Sequence, residues 1–229
     1  MKSKKMDLKE FNRVLIIAPH PDDEIFGCAG LMRHSVTKNI EVYIIVTTRG
    51  EAVHRDCCNI NEELLKKKRE ELCYLANKNL GIVKNNITFL TWSDSELERL
   101  TDDASVINEI RILIERINPD TIFCPHPLEN TSDHVAIYSI VKSATIEFNG
   151  KLFYYCVWFW YHKKISDILK LDFNSSFLLD IKKEYIFKKD SINIYINNTA
   201  QCGNPYSGKL PFSLMYSVKW VNELFYLQR

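Results

Sequence analysis

The sequence has no long apolar run. Its longest, Leu152–Tyr161, is ten residues of mostly aromatic side chains, whereas a membrane-spanning helix needs about 20. The basic stretch 1–10 lacks an apolar core, so no signal peptide is expected. Net charge is nearly absent: 30 Lys and Arg against 29 Asp and Glu leave +1. A chain without cationic excess is not expected to bind nucleic acid electrostatically. No GxGxxG or GxxxxGKS/T string follows the first apolar run, which argues against a nucleotide-binding phosphate loop. Repeats and low-complexity linkers are missing too, so residues 1–229 are expected to form one domain.

Cysteine is present but unpatterned. The seven residues Cys28, Cys57, Cys58, Cys73, Cys124, Cys156 and Cys202 include no CxxC pair. Cys57 and Cys58 are adjacent, which is poor geometry for a disulfide between them. Cys28, Cys73, Cys124 and Cys156 lie in apolar segments, where a free thiol acts as a small hydrophobe. The pattern suits a reducing cytoplasm.

What is there alternates. Short apolar runs at Val14–Ala18, Glu41–Thr48, Ile87–Leu90, Thr121–Cys124 and Leu152–Trp160 predict strands. Helix-period segments at Glu24–Ser35, Asn61–Asn79, Ala104–Ile117 and Val135–Phe148 separate them. Such alternation implies an α/β fold with a mainly parallel sheet flanked by helices. Beyond residue 162 the pattern weakens. Residues 177–187 read as strand or loop leading into a helix over 188–198, and 202–208 read as a loop.

Polar residues cluster where these strands end. After the first come His20-Pro21-Asp22-Asp23-Glu24, with Asp94 after the third and His126 and Asp133-His134 after the fourth. In open α/β sheets the crevice beyond the strand carboxyl ends is the usual ligand site. Packed carboxylates there repel unless a cation is present. His20 and Asp23 offer a nitrogen and an oxygen to a metal, and His134 can complete a two-His, one-carboxylate zinc site with a position open for water. Asp22 is then left over for proton transfer. The same residues also fit simpler roles. His20 to Asp23 can form a turn with Asp as a helix cap, and Asp133 can cap the next helix or orient His134. Glu24 either braces the site or starts a helix. His34 and His54 read as surface or packed residues.

The string Ala18-Pro19-His20-Pro21-Asp22-Asp23-Glu24, followed by Asp133-His134, resembles the PIG-L or LmbE-like family of zinc-dependent N-deacetylases. Thr47-Thr48-Arg49-Gly50-Glu51 is similar to that family's polar loop after the second strand. Residues 90–97 are similar to its FLxxxDGxL stretch, with Ser95 where Gly is usual, and Asn222-Glu223-Leu224-Phe225 to its C-terminal ELF. The resemblance implies a Rossmann-like sheet and removal of an N-acetyl group from an amino sugar or glycoconjugate. It implies zinc on His20, Asp23 and His134, with Asp22 as general base. Asp94 would meet the sugar or orient the active-site histidine, and the family's basic residue would be Lys68 or Arg69.

One position departs from the family pattern. Where many members read HPDH, this chain reads Thr131-Ser132-Asp133-His134. The missing histidine stabilises an oxyanion or protonates the leaving group. His126 and His162 are the candidates to replace it, unless Asp22 carries acid catalysis alone. Trp158, in the aromatic run, is either a platform for a sugar face or a buried strand residue. A catalytically silent sugar- or partner-binding member is the alternative left open by Thr131. The substrate stays open among free sugars, nucleotide sugars, glycosides, antibiotics and glycolipids.

Overall fold

The computed structural model describes residues 3–162 and 164–228. Among them, a short edge strand β1 (Lys4–Lys5) precedes β2 (Arg13–Ala18), α1 (Asp23–Thr37), β3 (Glu41–Val46), α2 (Glu62–Asn79) and β4 (Ile87–Phe89). The chain continues through α3 (Ala104–Ile117), β5 (Thr121–Pro125), α4 (Ser132–Ala144) and β6 (Lys151–Tyr155). Two short helices follow, α5 (Phe159–His162) and α6 (Ile165–Ile168), then β7 (Ser176–Asp180), α7 (Tyr185–Asn197), α8 (Phe212–Ser217) and β8 (Asn222–Leu227).

The eight strands form one sheet in the order β1-β7-β8-β6-β5-β2-β3-β4. β4, β3, β2, β5 and β6 run parallel, while β8 is antiparallel to both β6 and β7. The burial of β2 explains its apolar run. Val14 and Ile16 point into a core shared with α1, α2 and α7, whereas Leu15 and Ile17 point into one shared with α3 and α4. A strand covered on both faces has no reason to alternate apolar with polar. Strand order reverses at β2, which pairs with β3 on one side and β5 on the other. The crevice at that reversal is where such sheets bind ligands.

Helix ends follow local chemistry. Asn61 caps α2 by accepting from Leu64 N at 3.0 Å, and Asp103 caps α3 through Ser105 N at 2.8 Å. Asn118 ends α3 in the left-handed region at φ 49°.

One expectation is corrected. The strand expected over Leu152–Trp160 stops at Tyr155. There the buried Glu129 carboxylate accepts from Val157 N (2.7 Å), Trp158 N (2.8 Å) and Phe159 N (3.2 Å), turning the backbone off the ladder into α5. The C-terminal Asn222–Leu227 is a strand in the sheet as well as a motif. Its Glu223 is buried, pairs with Lys188 at 2.7 Å, and accepts from Gly30 N and Leu31 N at 2.8 Å. Lys188 Nζ also donates to Phe26 O at 3.1 Å, so this ion pair is pinned into one turn of α1.

Candidate active site

β2 delivers His20 to the crevice, and the threonines after β3 hold it there. Thr47 N and Thr48 N extend the β2 pairing to Ala18 O (2.9 Å) and Pro19 O (3.0 Å), and both hydroxyls donate to Pro19 O. The chain then turns sharply into α1. Asp22 occupies the N-cap position at φ 127°, a region that L residues rarely adopt, and its side chain caps nothing. Strain of this kind costs about 1–3 kcal/mol and persists where the surroundings over-determine it. Here the fixing contacts come from Arg69 of α2, which donates to Pro21 O (2.8 Å) and Gly50 O (2.9 Å) and lies 3.3 Å from Asp22 Oδ2. Gly50 sits at φ 68°, and a Cβ there would be 2.3 Å from the Arg69 guanidinium, so only glycine fits. Arg69, not Lys68, therefore reaches the pocket, because Lys68 pairs with Glu71 on the exposed side of α2.

His20 presents its two ring nitrogens to two separate acid groups. Nδ1 is 3.1 Å from Asp23 Oδ2, while Nε2 is 3.0 Å from Asp94 Oδ1 and 3.1 Å from Asp133 Oδ2. His134, fully buried on α4, brings Nε2 to 3.2 Å from the same Asp23 oxygen and Nδ1 to 3.0 Å from Glu129 Oε2. Neither His134 nitrogen has a properly aligned hydrogen bond.

That misalignment tests the fit for a metal. A buried imidazole without an aligned partner, facing a carboxylate oxygen and a second imidazole, is poorly satisfied by protons alone. The two edges that meet at Asp23 Oδ2, 3.1 and 3.2 Å, are close to those of a tetrahedral zinc face, where Zn–N and Zn–O lengths of about 2.0–2.2 Å give edges of about 3.3–3.6 Å. His20, Asp23 and His134 therefore fit a divalent cation. Asp94, Asp133 and Glu129 stand behind the two imidazoles, the usual arrangement that fixes ring orientation in metal sites.

The electrostatics follow from the crowding. Burial pushes the Asp22 carboxyl up to about 7, with Arg69 pulling it down and Asp23 pushing it up. Burial alone would raise Asp23 and Asp94, but the histidines beside them hold both well below the usual carboxylate range. Burial would lower His20, yet hydrogen bonds to Asp133, Asp23 and Asp94 keep it well above the ordinary imidazole value. His134 rises to about 9 against its burial because Asp23 and Glu129 flank it.

Of the other residues singled out in the sequence, Asp133 does not cap α4. Thr131 holds that position, and the Asp133 carboxylate instead accepts from Ser95 N (2.8 Å) and Leu97 N (3.3 Å) besides meeting His20. Asp94 Oδ2 accepts from Ala52 N at 2.7 Å. Trp158 lines the pocket, a cavity of about 260 Å³. Thr131 lines it too, and its buried Oγ1 has no hydrogen-bond partner. His126 is not brought into the pocket. Its ring packs edge-on against Tyr226 and Tyr154, its Nδ1 accepts from Leu128 N, and burial lowers its pKa to about 4. His162 ends α5, and its side chain lies outside the described residues.

Sequence reading missed Glu129, whereas for Glu24 the contacts favour the bracing role over that of a plain helix start. Glu24 Oε2 accepts from Asp22 N (3.0 Å), and its Oε1 accepts from Asn77 (2.9 Å) and Tyr195 (3.2 Å). Glu129 lies in a loop between strand and helix, where nothing local marks a buried carboxylate. Its signal is only that it stands five residues before His134.

The family model described as PIG-L, GlcNAc-PI de-N-acetylase, matches residues 15–145. The probable N-acetyl-alpha-D-glucosaminyl L-malate deacetylase 2 of Bacillus subtilis (strain 168) is 33% identical over 116 residues, which is 50% of this chain and 51% of that protein. The match thus spans about half the length of that curated relative. Among solved structures, the N,N'-diacetylchitobiose deacetylase from Pyrococcus horikoshii superposes with a TM-score of 0.71 at 20% identity, covering 96% of this chain and 85% of that one. The 4-carboxy-2-hydroxymuconate hydratase GalB of Pseudomonas putida KT2440 reaches 0.69 at 14% identity, covering 95% of both. The same fold therefore serves a hydratase as well as a deacetylase, and likeness of fold alone does not choose between them.

Proposed function

The chain belongs to the PIG-L family, and from that premise we propose that it is a zinc-dependent N-deacetylase acting on an N-acetylated amino sugar or its conjugate. The observation that carries the reading is the His20–Asp23–His134 donor face with Asp22 beside it, all lining one pocket. Zinc held there would acidify a water molecule and polarise an amide carbonyl.

The chain's own residues supply the rest. Asp22 takes the proton of the attacking water and returns it to the departing amine, which acid–base catalysis requires of one group in two protonation states. Its neighbour Arg69 keeps the carboxylate aimed into the pocket and limits how far burial can neutralise it. Asp94 and Asp133 hold the His20 ring, and Glu129 holds that of His134. Thr131 stands at the position of the family's missing histidine and lines the pocket, and its buried Oγ1, lacking another partner, would serve the developing oxyanion by turning toward it. Trp158 offers its ring to an apolar sugar face.

The test is free-amine release by zinc-loaded protein across N-acetylated amino sugars, nucleotide sugars and glycosides, with and without chelator. Release that the chelator abolishes is expected for at least one member. Release unaffected by chelation, or hydration of an unsaturated acid with no amine released from any member, would overturn the reading.

A further inference from the structure

A second cluster of metal-binding side chains lies apart from the pocket's own ligands. It contains His54, Cys57, Cys58 and Cys202, whose ligand atoms all lie within 4.8 Å of one another. His54 ends a 3-10 turn, Glu51–His54, and the backbone N–H groups of Cys57 and Cys58 both donate to its carbonyl at 3.2 and 3.3 Å. Cys202 arrives from far along the chain, on a tight turn that Gly203 N closes on Ala200 O at 2.9 Å. Gly203 has φ 80° and open space around it, which lets the turn close behind Cys202.

The distances have the pattern of a tetrahedron. His54 Nδ1 is 3.0 Å from the Cys57 sulfur, 3.7 Å from that of Cys58 and 3.6 Å from that of Cys202. The Cys57 sulfur is 3.9 Å from Cys58 and 3.6 Å from Cys202. Tetrahedral zinc with Zn–S of about 2.3 Å and Zn–N of about 2.0 Å has edges of about 3.5–3.8 Å. The tautomer fits as well. His54 Nε2–H donates to Pro205 O at 3.0 Å, so the Nδ1 lone pair is left facing three sulfurs. A backbone carbonyl on the far ring nitrogen is the usual support of a metal-bound histidine. A disulfide explains less. Joining Cys57 to Cys202 would leave Cys58 and the oriented imidazole without a purpose, and adjacent Cys57 and Cys58 pair poorly.

We propose that His54, Cys57, Cys58 and Cys202 form a closed structural zinc site. Four protein ligands leave no position for substrate, so its role is to fasten. It joins the loop after β3 to the 199–208 turn, and both border the catalytic pocket. Ala52 and Val53 of the 3-10 turn and Ser207 line that pocket, Ala52 N is bonded to Asp94, and Gly208 packs against Val53. Cys202 is thus a positioning residue for the pocket wall. The zinc site stands without the deacetylase reading; only its effect on KM rests on that reading.

The experiment is cobalt substitution of the full-length protein, purified under reductant, with metal counted per chain. Expected are a second equivalent of metal and a thiolate-to-cobalt charge-transfer band in the near ultraviolet, which the His/Asp site cannot give. Cys202→Ser and Cys57→Ser should each weaken or abolish the band while keeping the active-site equivalent, which also shows that the variants fold. His134→Ala should keep the band. With an active substrate in hand, Cys202→Ser should raise KM several-fold and change kcat little. Absence of the band in the wild-type protein, its survival at undiminished intensity in Cys202→Ser, or a Cys57–Cys202 disulfide in freshly isolated protein would overturn the site. A fall in kcat at constant KM would overturn its role in the pocket wall.

Discussion

Asp22 is the residue on which sequence and structure bear most differently. In the sequence it is one carboxylate in a turn, as fit to cap a helix as to move a proton. In the structure it takes the cap position, declines the cap bond, and adopts φ 127° so that its carboxylate meets Arg69. Asp22→Asn keeps the shape and removes the proton carrier. The expected outcome is a loss in kcat of about 10²–10⁴-fold, with zinc content unchanged by elemental analysis. Loss of the metal together with activity would instead make Asp22 a ligand. His126 carries a different prediction. Its imidazole is held at about 4 by burial, against about 6.5 when unfolded. The unfolded chain therefore binds the extra proton first, and stability is lost as pH falls from about 6.5 towards 4. For metal-free protein, this residue accounts for about 2 kcal/mol lost between pH 7 and pH 5. His126→Asn, whose Oδ1 takes the place of Nδ1 and can still accept from Leu128 N, should lose correspondingly less by urea denaturation at the two pH values. Equal losses would show that His126 is already solvated.

At the scale of elements, the parallel core was legible because each strand there is a continuous apolar run covered on both faces. β2, β3 and β5 begin within one residue of the expected positions. The edges were not legible. β1 is two exposed lysines with no pattern to read. β8 carries Glu223 into the core, where a charged residue disguises a strand. β6 ends early because Glu129, distant in sequence, takes the amide groups of Val157, Trp158 and Phe159. The three proposed metal ligands could be picked out because HPDD and DH are local strings at strand ends, and the fold brings them together. The carboxylates and the arginine behind them were only partly legible, since they converge through tertiary packing. Two element-scale variants test this account. Glu223→Gln leaves Lys188 buried beside α1 without its counter-charge, and breaking such a pair costs about 3–5 kcal/mol. Chemical denaturation should show that loss; a change under 1 kcal/mol would mean water reaches the pair. Ser95 holds φ 67° in the stretch where the family places glycine. Ser95→Gly should stabilise the protein by up to about 1 kcal/mol, with the Asp133 contact to residue 95 intact because it uses the backbone N–H.

Over the whole molecule, a chain with net charge of +1 gathers its acids unevenly. Asp22, Asp23, Glu24, Asp94, Glu129 and Asp133 are all buried around two imidazoles and one guanidinium. Such a concentration is costly unless a cation is held at its centre, so metal binding and folding should be coupled. A ligand at 100 times its dissociation constant adds about 2.7 kcal/mol, and in a domain of this size each kcal/mol moves Tm by about 2–4 °C. Chelation should therefore lower Tm by about 5–10 °C for the active-site ion alone. His134→Ala should abolish the part of the shift owed to that ion, and Cys202→Ser the part owed to the thiolate site. The two proposed sites border one wall, because Ala52 N holds Asp94 behind His20 while His54 ends the same turn. Their losses are then not independent. In differential scanning fluorimetry the double variant should lose less than the sum of the single losses, since residues sharing a network couple by about 0.5–3 kcal/mol. Strict additivity would show that the thiolate site fastens its loops without reaching the catalytic wall, and a chelation shift surviving in the double variant would place a metal elsewhere.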